Sequence, residues 1–252
     1  MLNTKIFYKI YNKLFMSDFI NVLTNYINNN KIKFKKDKFI IFDIGAHQGT
    51  FSHELNNKLK LNNKLKKKLH FYLFDPLKRY VNFKSQSIDN FNYYELAFDS
   101  SKKATKKFYL NNYFHASGSS LKGFSFKDKK YRISRTLIAS LIYPFKSLVK
   151  VINVKTDNLN DFFKKNYITH VNVLKIDTEG TELDVLSGAI KILKKIDIIC
   201  VEIQTSKNAF KSRERKINKI LNKDFKLLYR KRIIVASFLT GIISYDCIYI
   251  RK

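Results

Sequence analysis

The sequence predicts an α/β protein built on a buried, parallel, Rossmann-type sheet, and three stretches carry that prediction. The first is Phe39 to Ser52, FIIFDIGAHQGTFS, where an apolar run ends in Asp43, turns through Gly45 and Gly49 and passes into a helical pattern. A short run that is apolar on both faces and rich in large or β-branched residues suits a strand covered on both sides. Glycines at its carboxyl end let the backbone turn sharply and approach a ligand. A helix starting near Gly49 would aim free N–H groups and its positive dipole end at that ligand. The second stretch is Leu69 to Phe74, closed by Asp75-Pro76, whose proline ends the strand and suits the first turn of a helix. The third is LKIDTEGTELDVLSGA, where a strand from Val171 to Ile176 delivers Asp177 and Glu179 to the sheet edge at which open α/β sheets bind ligands.

At 252 residues the chain is long enough for one large domain or two small ones. Cys200 and Cys247 lie in apolar runs without CxxC or framework spacing. Neither disulfides nor structural zinc are expected, which fits a reducing, cytoplasmic compartment. The net charge of +29 admits nucleic acid, an anionic membrane surface or acidic substrates as partners. It also fits plain compositional bias, because Lys, Asn, Ile, Phe and Tyr are abundant while Gly and Pro number 7 and 2. The lysines are spread along the whole chain rather than gathered in one arm. No continuous apolar stretch reaches the roughly 18 residues of a spanning helix. Lys and Asn interrupt the N-terminal residues too often for a signal-peptide core. The expected location is therefore the cytoplasm, with weak peripheral association at the inner face of a membrane compatible with the charge.

Taken in order, residues 3 to 29 place Ile6, Phe7, Ile10, Tyr11, Leu14 and Phe15, then Phe19, Ile20, Leu23, Tyr26 and Ile27, at helical spacing. The pattern breaks near Ser17 and Asp18, where Ser17 would cap the second segment. Residues 1–30 thus read as an N-terminal helical extension ahead of a domain over 31–252. The extension packs on the domain edge, or its basic, aromatic first half lies on a membrane. The helix from Thr50 runs into NNKLKLNNKLKKKLH, read as a solvated helix end and loop rather than a nucleic-acid contact. In register after the glycine turn, Asp75 becomes a candidate for holding ribose hydroxyls, the role an acid has at this tip of nucleoside-binding sheets. A third strand, Tyr93 to Phe98, leads into Asp99, Ser100 and Ser101.

Segments around Lys106 to Leu110 and Lys150 to Lys155 alternate like the two strands of a hairpin. Between them, over about 114–149, come a polar turn with His115, a basic stretch and the apolar TLIASLIYPFKSLV. An insertion here would cover the ligand mouth and recognise the acceptor; the other reading is a surface excursion that packs its own apolar side. Thr156 to Asp161, TDNLND, caps a short helix through Phe163. Glu182 falls in the first turn of a helix carrying Leu183, Leu186 and Ala189, where an acid favours the helix dipole. The dipole does not account for all three of Asp177, Glu179 and Glu182 in so basic a chain. A strand from Ile196 to Val201 ends in Glu202, a helix runs from Asn208 to Leu221, and Phe225 to Tyr229 and Tyr245 to Ile250 close the sheet as paired strands.

DIGAHQG, FDP after the second strand, LAFDS, TDNLNDF and LKIDTEGTELDVLSGA followed by VEIQ resemble, in order and spacing, the FkbM family of S-adenosylmethionine-dependent methyltransferases. The resemblance covers roughly Phe39 to Gln204. It implies the class I methyltransferase fold, a seven-stranded, mostly parallel sheet with helices on both faces and an antiparallel last strand. It also implies S-adenosyl-L-methionine as cofactor and, as acceptor, a hydroxyl on a sugar or small molecule. Asp43, Gly45, Ala46 and Gly49 match the motif around the methionine end of the cofactor, Asp75 matches the ribose acid, and Asp99 falls near the adenine. Asp177, Glu179 and Glu182 match the family's acidic signature. His47 stands where the family commonly has Asn, and Asp75-Pro76 where it has Glu-Pro. Residues 1–30 and 114–149 have no firm counterpart.

A hydroxyl is weakly acidic, so a positioned base would help as its proton leaves. Asp177 and Glu179 are the first candidates, followed by His47 and His115; His115 and Glu182 are also placed to meet the acceptor. The same two acids could instead hold a divalent cation through oxygen ligands. Two other functions fit the sheet: a nucleic-acid methyltransferase, prompted by the charge, and a binding module that has lost the cofactor. The chain lacks an NPPY-like tetrapeptide after the fourth strand of the parallel sheet, which disfavours nucleic acid, and Asp43, Gly45, Gly49 and Asp75 are intact, which disfavours the binding module. A NAD-dependent oxidoreductase would carry the tighter G-x-G-x-x-G, where this chain has His47. Oligomeric state leaves no signal in the sequence.

Overall fold

The structure is a computed structural model and describes residues 18–30, 38–59, 68–77, 88–102, 104–111, 119–122, 149–206, 209–233 and 242–252. The first helical segment with Ser17, the lysine-rich stretch over 60–67, His115 and most of the segment over 114–149 lie outside them.

Among the described residues, ten strands form: β1 Phe39–Ile44, β2 Leu69–Phe74, β3 Phe91–Tyr94, β4 Ala97–Phe98, β5 Ala104–Asn111, β6 Val149–Asp157, β7 Val171–Ile176, β8 Ile196–Ser206, β9 Phe225–Arg232 and β10 Ile242–Arg251. Seven of them form one sheet in the order β3-β2-β1-β7-β8-β10-β9. Pairing is parallel from β3 through β8, and β10 runs antiparallel to both its neighbours. This is the seven-stranded, mostly parallel α/β sheet of the class I methyltransferase fold. The chain winds outward from β1 through β3 and then returns to β7, so the strand order reverses between β1 and β7. A crevice opens at the carboxyl ends of strands beside such a switch point.

Helices cover both faces. On one, α1 over 18–29 and α2 Thr50–Leu59 bury Phe19, Ile20, Leu23, Phe51 and Leu55 against Ile41, Phe71, Val173 and Ile198. On the other, α3 Leu159–Lys165, α4 Glu182–Ser187 and α5 Phe210–Leu221 bury Phe162, Val185, Leu186 and Ile217 against Phe42, Phe74, Leu174 and Ile199. Fully burying one such side chain contributes about 2 kcal/mol. The sheet therefore has apolar residues on both faces, as strands β1 and β7, covered on both sides, require.

Three boundaries differ from the sequence reading. Tyr93 to Phe98 is not one strand: Tyr94 O accepts the N–H of both Asp75 and Leu96, which turns the chain out of the main sheet. Ala97 and Phe98 then pair with β6 in a second, three-stranded sheet, β4-β6-β5. The antiparallel pair of β5 and β6 forms as expected, but β6 extends to Asp157. The cap of α3 is accordingly Asn158, whose side chain accepts the Asp161 N–H at 2.9 Å. Finally, β8 runs on to Ser206 because β10 pairs along its length, so Glu202 lies within the strand and not at its tip.

Candidate active site

The tips of β1, β2 and β7 converge. Asp177 N donates to Ile44 O at 3.0 Å, while Gly45 N and Ala46 N both donate to Phe74 O. Gly45 has φ +77°, and a Cβ there would stand 1.8 Å from the Asp177 carbonyl oxygen. A glycine is thus required by two conditions at once, a left-handed backbone and contact with the neighbouring strand's turn. Gly49 also has positive φ and closes the turn by donating to Ala46 O.

These tips border a cleft of about 130 Å³. Gly45, His47, Asp75, Asp177 and Glu179 line it, with an apolar wall made of Leu96 and, from the second sheet, Ala97, Phe98 and Phe108. From the described residues 119–122 of the inserted segment, Ser119 and Leu121 also line it. Ser120 of that segment hydrogen-bonds to Thr178 O, and Lys122 forms a 2.5 Å ion pair with Asp184.

Asp75 is buried, and its two carboxylate oxygens accept the His47 N–H at 3.0 Å and the Leu77 N–H at 2.8 Å. Burial raises its pKa, against the pull of those two amides and of His47. Tyr93 fixes the same residue by donating to the Asp75 carbonyl at 2.7 Å. His47 has φ +47°, so that its amide turns toward Asp75 while its residue faces the cleft.

Behind the β1 and β7 tips, on the face covered by α1 and α2, lies a polar cluster around Lys175. Its ammonium is 3.2 Å from Asp43 Oδ1, 3.2 Å from Asp177 Oδ2 and donates to Gly45 O at 3.3 Å. Asp43 is fully buried and also accepts the Ser52 hydroxyl at 2.6 Å. Burial works against the Lys175 charge, yet Asp177 and Asp43 hold its pKa above the ordinary lysine value. Burial likewise opposes charge on Asp177, but Lys175 and a hydrogen bond donated by Glu202 outweigh it and keep the carboxyl below its usual range. Glu202 moves the other way: burial and the nearby Asp177 and Glu179 push it well up, and Ser244 donates to its far oxygen. Asp246, opposite Glu202 in the ladder, is pushed up to about 7 by burial and by Asp177.

The other expected site residues sit in different settings. Glu182 is fully buried and accepts the Gly180 N–H at 2.6 Å, with Arg213 at 3.2 Å. Burial pushes its carboxyl up to about 7 against those two partners. Arg213 also donates to Gly180 O and Gln204 O, so this pair holds the turn that presents Asp177 and Glu179. Glu179 itself has φ +54° at the cleft. Asp99 is buried and engaged by Ser101 and by Lys106 at 2.5 Å, outside the cleft lining. Asp43, Ala46, Gly49 and Glu182 also support the cleft without lining it. Among the described residues, no group of three or more His, Cys, Asp or Glu is placed to hold a metal ion.

Sequence reasoning did not single out Lys175, Asp246 or Arg213. One lysine inside an apolar strand was the available signal, since a fully buried strand position tolerates a charge only beside its counter-charges.

Residues 43–230 match the family model described as the methyltransferase FkbM domain. No curated protein sequence matches the chain. Among solved structures, the magnesium protoporphyrin IX methyltransferase of Synechocystis with bound SAM aligns over 100% of this chain and 85% of its own, with 7% identity and a TM-score of 0.47. The precorrin-6y C5,15-methyltransferase of Geobacter metallireducens aligns over 86% and 82%, with 9% identity and a TM-score of 0.40.

Proposed function

The chain belongs to the FkbM methyltransferase family, and from that premise we propose that it transfers a methyl group to a hydroxyl oxygen, with a sugar of a glycan or glycolipid as acceptor. The observation that carries this reading is the charge of the cleft. In a chain of net charge +29, the described lining holds Asp75, Asp177 and Glu179 and not one lysine or arginine. A polyphosphate acceptor would bring like charge to those carboxylates, whereas the hydroxyls of a sugar are hydrogen-bond donors that carboxylates accept. This argues against the nucleic-acid alternative despite the basic composition.

The residues present fit S-adenosylmethionine, which supplies a methyl group already activated on a sulfonium. Asp75, buried and oriented by two backbone amides, would hold the ribose hydroxyls. Gly45 leaves the β1 turn open, and Leu96, Ala97 and Phe98 offer an apolar wall for a base. Asp177, kept anionic by Lys175, accepts the hydrogen bond of the acceptor hydroxyl and orients its oxygen. A carboxyl held below its usual range is a weak proton acceptor near neutral pH. The proton therefore goes to Glu179 or His47, which share the cleft with it. The apolar wall, with Leu121 beside it, excludes water, so alignment does most of the work.

The test is calorimetric titration of the protein with S-adenosylhomocysteine beside an Asp75→Ala variant, followed by methyl transfer to a panel of glycans and RNAs. The expected result is micromolar binding, on the order of −8 kcal/mol, that the variant loses, and transfer to a glycan hydroxyl. Transfer to RNA alone would overturn the acceptor class, and a folded protein without binding would leave a non-catalytic module.

A further inference from the structure

Of the buried groups in this fold, Lys175 is the one whose surroundings ask for a function beyond packing. A lysine in the middle of a fully buried strand is costly unless counter-charges surround it. Here one ammonium lies 3.2 Å from Asp43 Oδ1 and 3.2 Å from Asp177 Oδ2 and donates to Gly45 O. Asp43 sits in β1 and Gly45 in the turn after it, while Asp177 opens the turn after β7. The pairing is set by the sheet itself, because Lys175 lies directly opposite Asp43 in the β1–β7 ladder. The Phe51 ring of α2, 5.7 Å from the ammonium, limits its freedom from the side facing away from the sheet.

We propose that Lys175 is the positioning residue of the site, locking the cofactor-side turn of 43–49 and the acceptor-side turn of 177–180 into one rigid unit. This rests on the methyltransferase reading for the meaning of the two sides, but the lock itself is a property of the chain alone. One ammonium holding both turns makes the geometry of each depend on the other, and an in-line transfer depends on that relative placement to within a fraction of an ångström. Lys175 does not line the cleft, so it acts through Asp43, Gly45 and Asp177 and not on the reacting atoms.

The experiment compares backbone hydrogen exchange and S-adenosylhomocysteine titration in wild type, Lys175→Met and Asp177→Asn. The amides of Gly45, Ala46, His47, Asp177 and Gly180 are all hydrogen-bonded, so loosening of either turn is readable at its own residues. In Lys175→Met, exchange should rise tenfold or more in both turns and stay within about twofold in β8 and β10. Affinity for S-adenosylhomocysteine should fall by at least tenfold in Lys175→Met and by less in Asp177→Asn, which keeps an amide oxygen for the ammonium. Acceleration spread evenly over the sheet, or confined to one turn, would overturn the lock and leave Lys175 a structural counter-ion. Lys175→Gln, which keeps donors and drops the charge, is measured beside the methionine variant so that a misfolded Met variant leaves the question answerable. Should the wild type bind no S-adenosylhomocysteine, the methyltransferase reading falls, while the exchange pattern still decides the lock.

Discussion

Gly45 and Asp177 meet through their main chains, with room between them for a hydrogen atom and no more: a Cβ on Gly45 would lie 1.8 Å from Asp177 O. Two turns that form the cleft floor are therefore in contact independently of any side chain. Gly45→Ala should force them apart and also place an L-residue at φ +77°. The strain alone is worth about 1–3 kcal/mol. The expected outcome is a lowered melting temperature with loss of S-adenosylhomocysteine binding, checked by thermal denaturation and calorimetry. Unchanged affinity in the variant would detach Gly45 from the site.

Asp177→Asn keeps the size of the side chain and removes the charge that Lys175 compensates. Turnover should fall roughly a hundredfold or more, the usual range for a displaced acid–base or orienting group, while cofactor affinity changes little. Single-turnover rates measured beside calorimetry separate the two. Near-normal turnover would remove Asp177 from the reaction.

An ammonium already stands between Asp43 and Asp177, where a divalent cation bound by Asp177 would have to displace or repel it. Methyl transfer should accordingly proceed at full rate in millimolar EDTA. A rate that drops tenfold and returns on adding magnesium would reassign Asp177 and Glu179 as metal ligands.

The raised carboxyls give stability a direction with pH. Glu182 and Asp246 are pushed from ordinary acid values to about 7 in the folded chain, so the folded state binds protons that the unfolded state has released. Stability from this source is fully present below the unfolded pKa of about 4 and is lost as pH rises to about 7, on the order of 3 kcal/mol for each group. Self-repulsion of a basic chain acts the opposite way as acids protonate, so the readout is a difference. Wild type minus Asp246→Asn should lose melting temperature between pH 5 and pH 8. A difference that stays flat would show that Asp246 is not held neutral by burial.

The strand tips were legible because an apolar run that stops at an acid marks where a buried strand leaves the core. Val171 to Ile176 and the delivery of Asp177 to the carboxyl edge needed only period and turn chemistry. The same logic misplaced Glu202, which looks like another tip acid but sits inside β8 because its partner β10 comes much later in the chain and pairs as far as Ser206. Tyr93 to Phe98 reads as one strand for a similar reason: the two hydrogen bonds to Tyr94 O that break it depend on where the chain lies against β2. Lys175, Arg213 and Asp246 were hidden because each gains meaning only from a partner on another strand or helix. Polar groups that serve one another across a sheet leave no periodic trace in the sequence.

The position of β10 bears on how the molecule comes into being. It is made after both β8 and β9, yet it lies between them. During synthesis those two strands wait with their facing edges open, and no arrangement of the earlier chain can pair them in the final register. The half containing β1, β2, β3 and β7 can assemble while translation continues, but the remaining edge of β8 stays adhesive until β10 has emerged from the ribosome. Loss of β10 to a premature stop or a protease would therefore leave two sticky edges rather than one frayed end, and such a fragment should aggregate instead of merely weakening.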